Sequence, residues 1–138
     1  MFRQAGSVFS FLTIIPAGSS DLQTIAKHMY LFPLIGIAIG LLLGAAGWGL
    51  SLFLEPLVVG LLVAAGLVLI TGIHHTDGLS DFADGLMVKG SREKKLEVMR
   101  DPKVGSAGIV AVIFYVAAAI ISLSLMKGFE LFYAILIA

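Results

Sequence analysis

From Tyr30 to Leu54 the chain runs 25 residues without a charged side chain, and no other feature limits its possible folds so severely. As a helix rising 1.5 Å per residue the stretch is about 37 Å long, enough to cross about 30 Å of hydrocarbon with some tilt. Leu57 to Ile73 is again free of ionisable groups, and Gly105 to Met126 is a third long apolar run. Apolar residues make up 59% of the 138 and charged residues 13%, and the runs lack the alternation of a membrane barrel strand. The fold class expected is an all-α integral membrane protein. It forms a single membrane domain over 1–138, with three full transmembrane helices at 30–54, 57–73 and 105–126.

The flanking segments are shorter. Val8 to Ala17 is too short to span, so 1–29 reads as an interfacial or re-entrant N-terminal segment. A secretory signal peptide is the rival, with Arg3 before the apolar run, but Pro16 and the later spans favour retention. Ser20 or Asp21 is placed to cap a short helix ending near Tyr30. Gly36, Gly40 and Gly44 recur every fourth residue, a seam along which another helix can pack backbone to backbone, although glycine is also frequent in membrane helices generally. Glu55-Pro56 makes a turn, with Pro56 suited to a first helical position. Phe129 to Ala138, ten residues, reads as a partial fourth helix, as if the chain were cut short.

Between the second and third spans lies His74-His75-Thr76-Asp77-Gly78-Leu79-Ser80-Asp81-Phe82-Ala83-Asp84-Gly85. On a helix Asp81 lies about 40° to one side of Asp77 and Asp84 about 20° to the other, so three carboxylates share an arc of roughly 60°. Like charges so close repel, and the usual remedy is a divalent cation with oxygen ligands, here Mg²⁺ completed by water and phosphate. Asp77, Asp81 and Asp84 are therefore the candidate metal ligands; the rival is a solvated acidic face. Gly78 and Gly85, lacking side chains, let a phosphorylated ligand or a second helix come close.

The next stretch is basic. Lys89, Arg92, Lys94, Lys95, Arg100 and Lys103 put six of the nine cations into fifteen positions. Ser91 is a candidate N-cap for a short helix over 92–100 stopped by Pro102, so 77–103 reads as an Asp-rich helical hairpin. With Arg3 and Lys27 these six fall on one side of a three-span topology and Lys127 alone on the other, which places the hairpin in the cytoplasm. Arg100 and Lys103 are candidates for phosphate contact, whereas the remaining loop cations suit topology and lipid headgroups. His74 projects about 60° from Asp77 and His75 points away; either is a candidate base or an interfacial hydrogen-bonding residue. Asp101 is a further ligand or base, or simply the residue that ends the short helix. Zero net charge points to no nucleic acid, and the absence of cysteine excludes disulfide and thiol chemistry.

Thr71-Gly72, His75-x-Asp77-Gly78-Leu79-x-Asp81-x-x-Asp84-Gly85-Leu86, then Met99-Arg100-Asp101 and Gly105, together resemble the cobalamin 5'-phosphate synthase (adenosylcobinamide-GDP ribazoletransferase) family. Phe11-Leu12-Thr13-x-x-Pro16 and Phe32-Pro33-Leu34-x-Gly36 look like its N-terminal pattern, and the doubled His74-His75 and Pro102 depart from it. The resemblance implies a multi-pass enzyme of the inner (cytoplasmic) membrane, with further helices beyond those seen here. It would join alpha-ribazole, or its 5'-phosphate, to adenosylcobinamide-GDP with Mg²⁺ and release GMP. It further implies catalytic roles for Asp77, Asp81, Asp84, His75 and Asp101, and substrate contacts at Arg100, Lys103, Gly78, Gly85 and Gly105. Two other readings remain: a CDP-alcohol phosphotransferase, whose pattern has Ala-Arg soon after D-x-x-D-G where this chain has Leu86-Met87, and a cation transporter or channel subunit. Homo-oligomerisation stays open.

Overall fold

The computed structural model describes residues 2–18 and 22–137, so Ser20 and Asp21, the candidate caps, lie outside the described residues. The described residues are helical, without strands. An N-terminal helix, α1 (Phe2–Leu12), and a short α2 (Leu22–Lys27) lead through a 3-10 turn at Met29–Leu31 into α3 (Phe32–Leu50). Then follow α4 (Pro56–Ile70), α5 (His74–Met87), α6 (Arg92–Val98), α7 (Ser106–Ser124) and α8 (Phe129–Ile137).

Two segments are long and apolar enough to cross a membrane, Met29–Leu50 with mean hydropathy 2.1 and Ser106–Ser124 with 2.4. The second of these buries almost nothing: among its residues only Gly108 is buried, while Ile109, Val110, Ile113, Phe114 and Ile121 are exposed, as suits a lipid-facing helix. A third segment, at the expected 57–73 span, is apolar enough only together with the helix that follows it, as one bent span or a re-entrant loop. Its helix stops at Ile70 after 15 residues, about 22 Å, and the chain bends by 88° into α5. The span expected at 30–54 likewise stops at Leu50.

The bend is built by local hydrogen bonding. Gly72 takes a left-handed φ of 69° and its N–H donates to Leu69 O, while Ile73 N–H reaches back to Val68 O, a Schellman closure. Thr71 donates to Leu67 O from both N–H and Oγ1, and Ile14 N–H, from the loop after α1, takes Ile70 O. All four terminal carbonyls of α4 are thus satisfied without continuing the helix. Ile73 is itself held at φ 65°, which costs a β-branched residue about 1–2 kcal/mol.

The core is small: Leu43, Val59, Val63, Leu131 and Ile135, contributed by α3, α4 and α8. Glycines set the helix spacing. A Cβ on Gly40 would meet the backbone of Leu136 at 2.9 Å, and one on Gly44 the Phe132 ring and carbonyl at 3.1 Å, so α8 lies directly on α3. Gly36, expected in the same seam, faces open space, and Gly47 takes its place against Val63 and Ile135. Gly60 does the same for α4 and α7, where a Cβ would lie 2.6 Å from Ile120 O.

Candidate functional site

Helix α5 carries the acidic segment and starts at His74, three residues earlier than the hairpin expected from Asp77. Its first turn is closed by Asp77 N–H and Thr76 Oγ1, both donating to Ile73 O at 2.9 and 2.7 Å. One face, Thr76, Ser80 and Asp84, is buried, with Ser80 and Asp84 against the start of α7; Asp77 and Gly78 are exposed and Asp81 half-buried. A Cβ on Gly78 would meet nothing within 4 Å, so that side of the helix stays open.

The three carboxylates therefore have different surroundings. Asp84, 8% exposed, accepts the Gly105 N–H on Oδ2 at 2.7 Å and the Gly108 N–H on Oδ1 at 2.8 Å. These are amides at the start of α7, where unpaired donors and the helix dipole favour an anion. The Asp77 and Asp81 carboxylates have no hydrogen-bond or ion-pair partner among the described residues. Among the described residues no group of three or more His, Cys, Asp or Glu side chains converges as a metal site. As hard oxygen donors one turn apart, Asp77 and Asp81 fit a Mg²⁺ completed by water and phosphate, whereas both oxygens of Asp84 are already engaged.

The expected substrate glycines are also separated. Gly85 is closed by the second helix: its Cβ would lie 2.5 Å from Met99 Cγ and 3.0 Å from Lys95 O. Lys95 Nζ donates to Leu86 O at 3.3 Å and ties the same hairpin. Gly105 has no room for a side chain because the Asp84 carboxylate fills it, and Gly108 is likewise filled by Ser80 Oγ and Asp84. Ser80 Oγ, in a residue 5% exposed, is buried with no hydrogen-bond partner.

The basic segment folds as a short helix with Ser91 as N-cap, its hydroxyl accepting Lys94 N–H at 3.4 Å. The Ser91 hydroxyl, followed by Glu93's own backbone N–H, holds the Glu93 carboxyl below its ordinary range. The helix ends at Val98, short of the expected Arg100. Asp101 stops the chain there by accepting the Lys103 N–H on Oδ1 at 3.0 Å. Arg100 lines an open groove with Glu93, Leu96, Glu97 and Asp101. Among the described residues the one salt bridge is the exposed Lys94–Glu97 pair, so neither Arg100 nor Lys103 is joined to an α5 carboxylate.

His74 and His75 line a cleft on the side of α5 reached by the N-terminal segment, with Ser10, Phe11, Leu12 and Phe32. It continues into a smaller chamber of about 210 Å³ between Gly36, Leu67, Thr71, His75 and Ile135. Phe11 and Phe32 form a tilted ring pair with centroids 6.2 Å apart. Sequence reasoning missed Ser80 and Gly108. The available signal was Gly105-x-x-Gly108 at the start of an apolar span, two amides spaced to share one carboxylate.

Residues 4–138 match the cobalamin-5-phosphate synthase family. The chain belongs to that family. Among relatives of this chain are proteins named adenosylcobinamide-GDP ribazoletransferase. The one from Geotalea daltonii is 40% identical over 116 residues, 82% of this chain and 47% of the relative. Its namesake in Saccharolobus islandicus (strain L.S.2.15 / Lassen #1) is 40% identical over 131 residues, 94% of this chain and 51% of the relative. A third, from Methanocella arvoryzae, is 41% identical over 106 residues, covering 75% of this chain and 40% of the relative. The chain thus spans about half the length of the curated relatives it matches. No solved structure matches it.

Proposed function

We propose that this chain carries the cation- and phosphate-handling part of an adenosylcobinamide-GDP ribazoletransferase. The observation that supports the reading best is the split face of α5, with Asp77, Asp81 and Gly78 left unpartnered at the end of a bent span, in a chain about 40% identical to proteins of that name. In the proposed reaction the ribazole 3'-hydroxyl oxygen bonds to the cobinamide-linked phosphorus, the bond from that phosphorus to GMP breaks, and the hydroxyl proton passes to a histidine of the His74–His75 pair. Both imidazoles stand on the cleft wall. Arg100, with its forked guanidinium, and Lys103 would take charge on the departing phosphate once substrate draws the basic segment in. Asp77 and Asp81 would hold Mg²⁺, which when bound neutralises charge on the diphosphate oxygens.

The excess of Lys and Arg on the hairpin side supports a cytoplasmic active site in the cell membrane. The chain reconstituted in phospholipid nanodiscs should release GMP from adenosylcobinamide-GDP only when alpha-ribazole or its 5'-phosphate is present, and excess chelator should stop it. GMP release that is indifferent to ribazole would refute the transfer. Unchanged turnover in chelator would refute the cation.

A further inference from the structure

We infer that Asp84 is a positioning residue and not a cation ligand: it fastens α5 to the start of α7 and so limits where the basic segment travels, while Asp77 and Asp81 make a two-carboxylate cation site. This rests on the proposed reaction for its consequence but on the geometry of α5 and α7 for its substance. Each Asp84 oxygen already accepts one amide, Gly105 N–H at 2.7 Å and Gly108 N–H at 2.8 Å, across 21 and 24 residues of chain. Those bonds place the carboxylate against the positive end of a 19-residue helix, which offsets much of its charge locally.

Space points the same way. The volumes that Cβ atoms of Gly105 and Gly108 would occupy belong to the Asp84 carboxylate and Ser80 Oγ, so the two helices meet with the carboxylate as their spacer. At 8% exposure it offers a hydrated cation little approach, while Asp77 is exposed and Asp81 half-buried. A divalent cation needs carboxylate oxygens that water and phosphate can join, and Asp77 and Asp81 provide them. Pinning Gly105 also fixes what precedes it. The Asp101–Lys103 turn ends only two residues earlier, so the anchor limits where Arg100 and Lys103 travel.

The test uses Mn²⁺ as a paramagnetic stand-in for Mg²⁺, with the chain in detergent micelles. Asp77→Asn and Asp81→Asn should each weaken Mn²⁺ binding by about tenfold or more, whereas Asp84→Asn should stay within about twofold. In Asp84→Asn the Gly105 and Gly108 amides should exchange hydrogen at least about tenfold faster. Turnover per folded molecule should fall about tenfold in Asp84→Asn with the cation activation constant unchanged, a split that mere loss of folded protein does not produce. Should that variant not fold, Mn²⁺ titrated into the unaltered chain should broaden the Asp77 and Gly78 amide resonances before those of Gly105 and Gly108. Loss of Mn²⁺ affinity in Asp84→Asn equal to that in Asp77→Asn, unchanged turnover per folded molecule, or the reverse order of broadening would each overturn the inference. If the unaltered chain neither binds Mn²⁺ nor transfers, the reaction reading fails on its own. Amide exchange then decides the anchor, and unchanged rates at Gly105 and Gly108 overturn it.

Discussion

Gly78 and Gly85 stand seven residues apart on one helix, and replacing each by alanine should move stability in opposite directions. In an ordinary helix interior Gly→Ala stabilises by about 0.8–1 kcal/mol, because alanine has less backbone entropy to lose. Gly78, the fifth residue of α5, should show nearly all of this gain, since its new methyl would meet nothing within 4 Å. At Gly85 the same gain is opposed by contacts of 2.5 and 2.6 Å to Met99 Cγ and Cε, and 3.0 Å to Lys95 O. Overpacking costs typically about 1–3 kcal/mol; Met99 can swing aside, but the Lys95 carbonyl moves only with α6, so a net loss of about 1 kcal/mol is expected. Unfolding by SDS in mixed micelles, followed by helical circular dichroism, measures both. The functional readout separates them further: if Gly78 leaves room for a phosphorylated ligand, Gly78→Ala should lower ribazole transfer while raising stability. A destabilising Gly78→Ala, or a Gly85→Ala as stabilising as Gly78→Ala, would refute this account of the two glycines.

Gly44→Leu should destabilise the chain by about 2 kcal/mol or more by forcing α8 off α3, whereas Gly36→Leu, entering open space, should cost far less; the same SDS titration compares them. The Glu93 carboxyl has a lowered pKa in the folded chain, so its contribution to α6 is present above the unfolded value and disappears as pH falls through the folded one. Amide exchange in α6 should therefore speed up below about pH 4.5, and Ser91→Ala should remove much of that dependence. With no native cysteine, Lys89→Cys gives one thiol on the hairpin, and an impermeant maleimide added to intact cells should leave it unlabelled; labelling from outside would invert the proposed topology.

What could be read from the sequence was what depends on near neighbours. Runs without charge gave the spans, Ser91 gave its cap, and the recurring glycines gave the α3–α8 seam at Gly40 and Gly44. The end of α4 was harder, because Thr71, Gly72 and Ile73 continue an apolar run and only Gly72 hints at a stop. The acceptor for Ile14 N–H and the left-handed Ile73 become visible only once the N-terminal loop is in place. The charge and shape of Arg100 suit phosphate, but that Met99 beside it faces Gly85, and that Arg100 lines a groove with Glu93 and Glu97, is not legible in the sequence.

Asp84 marks the limit of reading by spacing. The 60° arc is correct helical geometry, but three positions close together on a wheel need not have equal neighbours, and α7 meets α5 at Ser80 and Asp84, while Asp77 is exposed. A carboxylate suits a helix N-terminus for the same reason that it suits Mg²⁺, since both offer concentrated positive charge to an oxygen. Residue type alone therefore does not distinguish anchor from ligand. The distinction lies in Gly105 and Gly108, whose missing side chains leave room for the carboxylate and whose amides take one oxygen each. Those glycines also couple the helices: any movement that frees Asp84 must unpair two amides at the start of α7, at about 1–3 kcal/mol for a donor such as Gly108 N–H that stays buried. Against such a cost, in the proposed reading, the exposed Asp77 carboxylate would meet a cation with less rearrangement than Asp84, and the α5–α7 contact would stay closed.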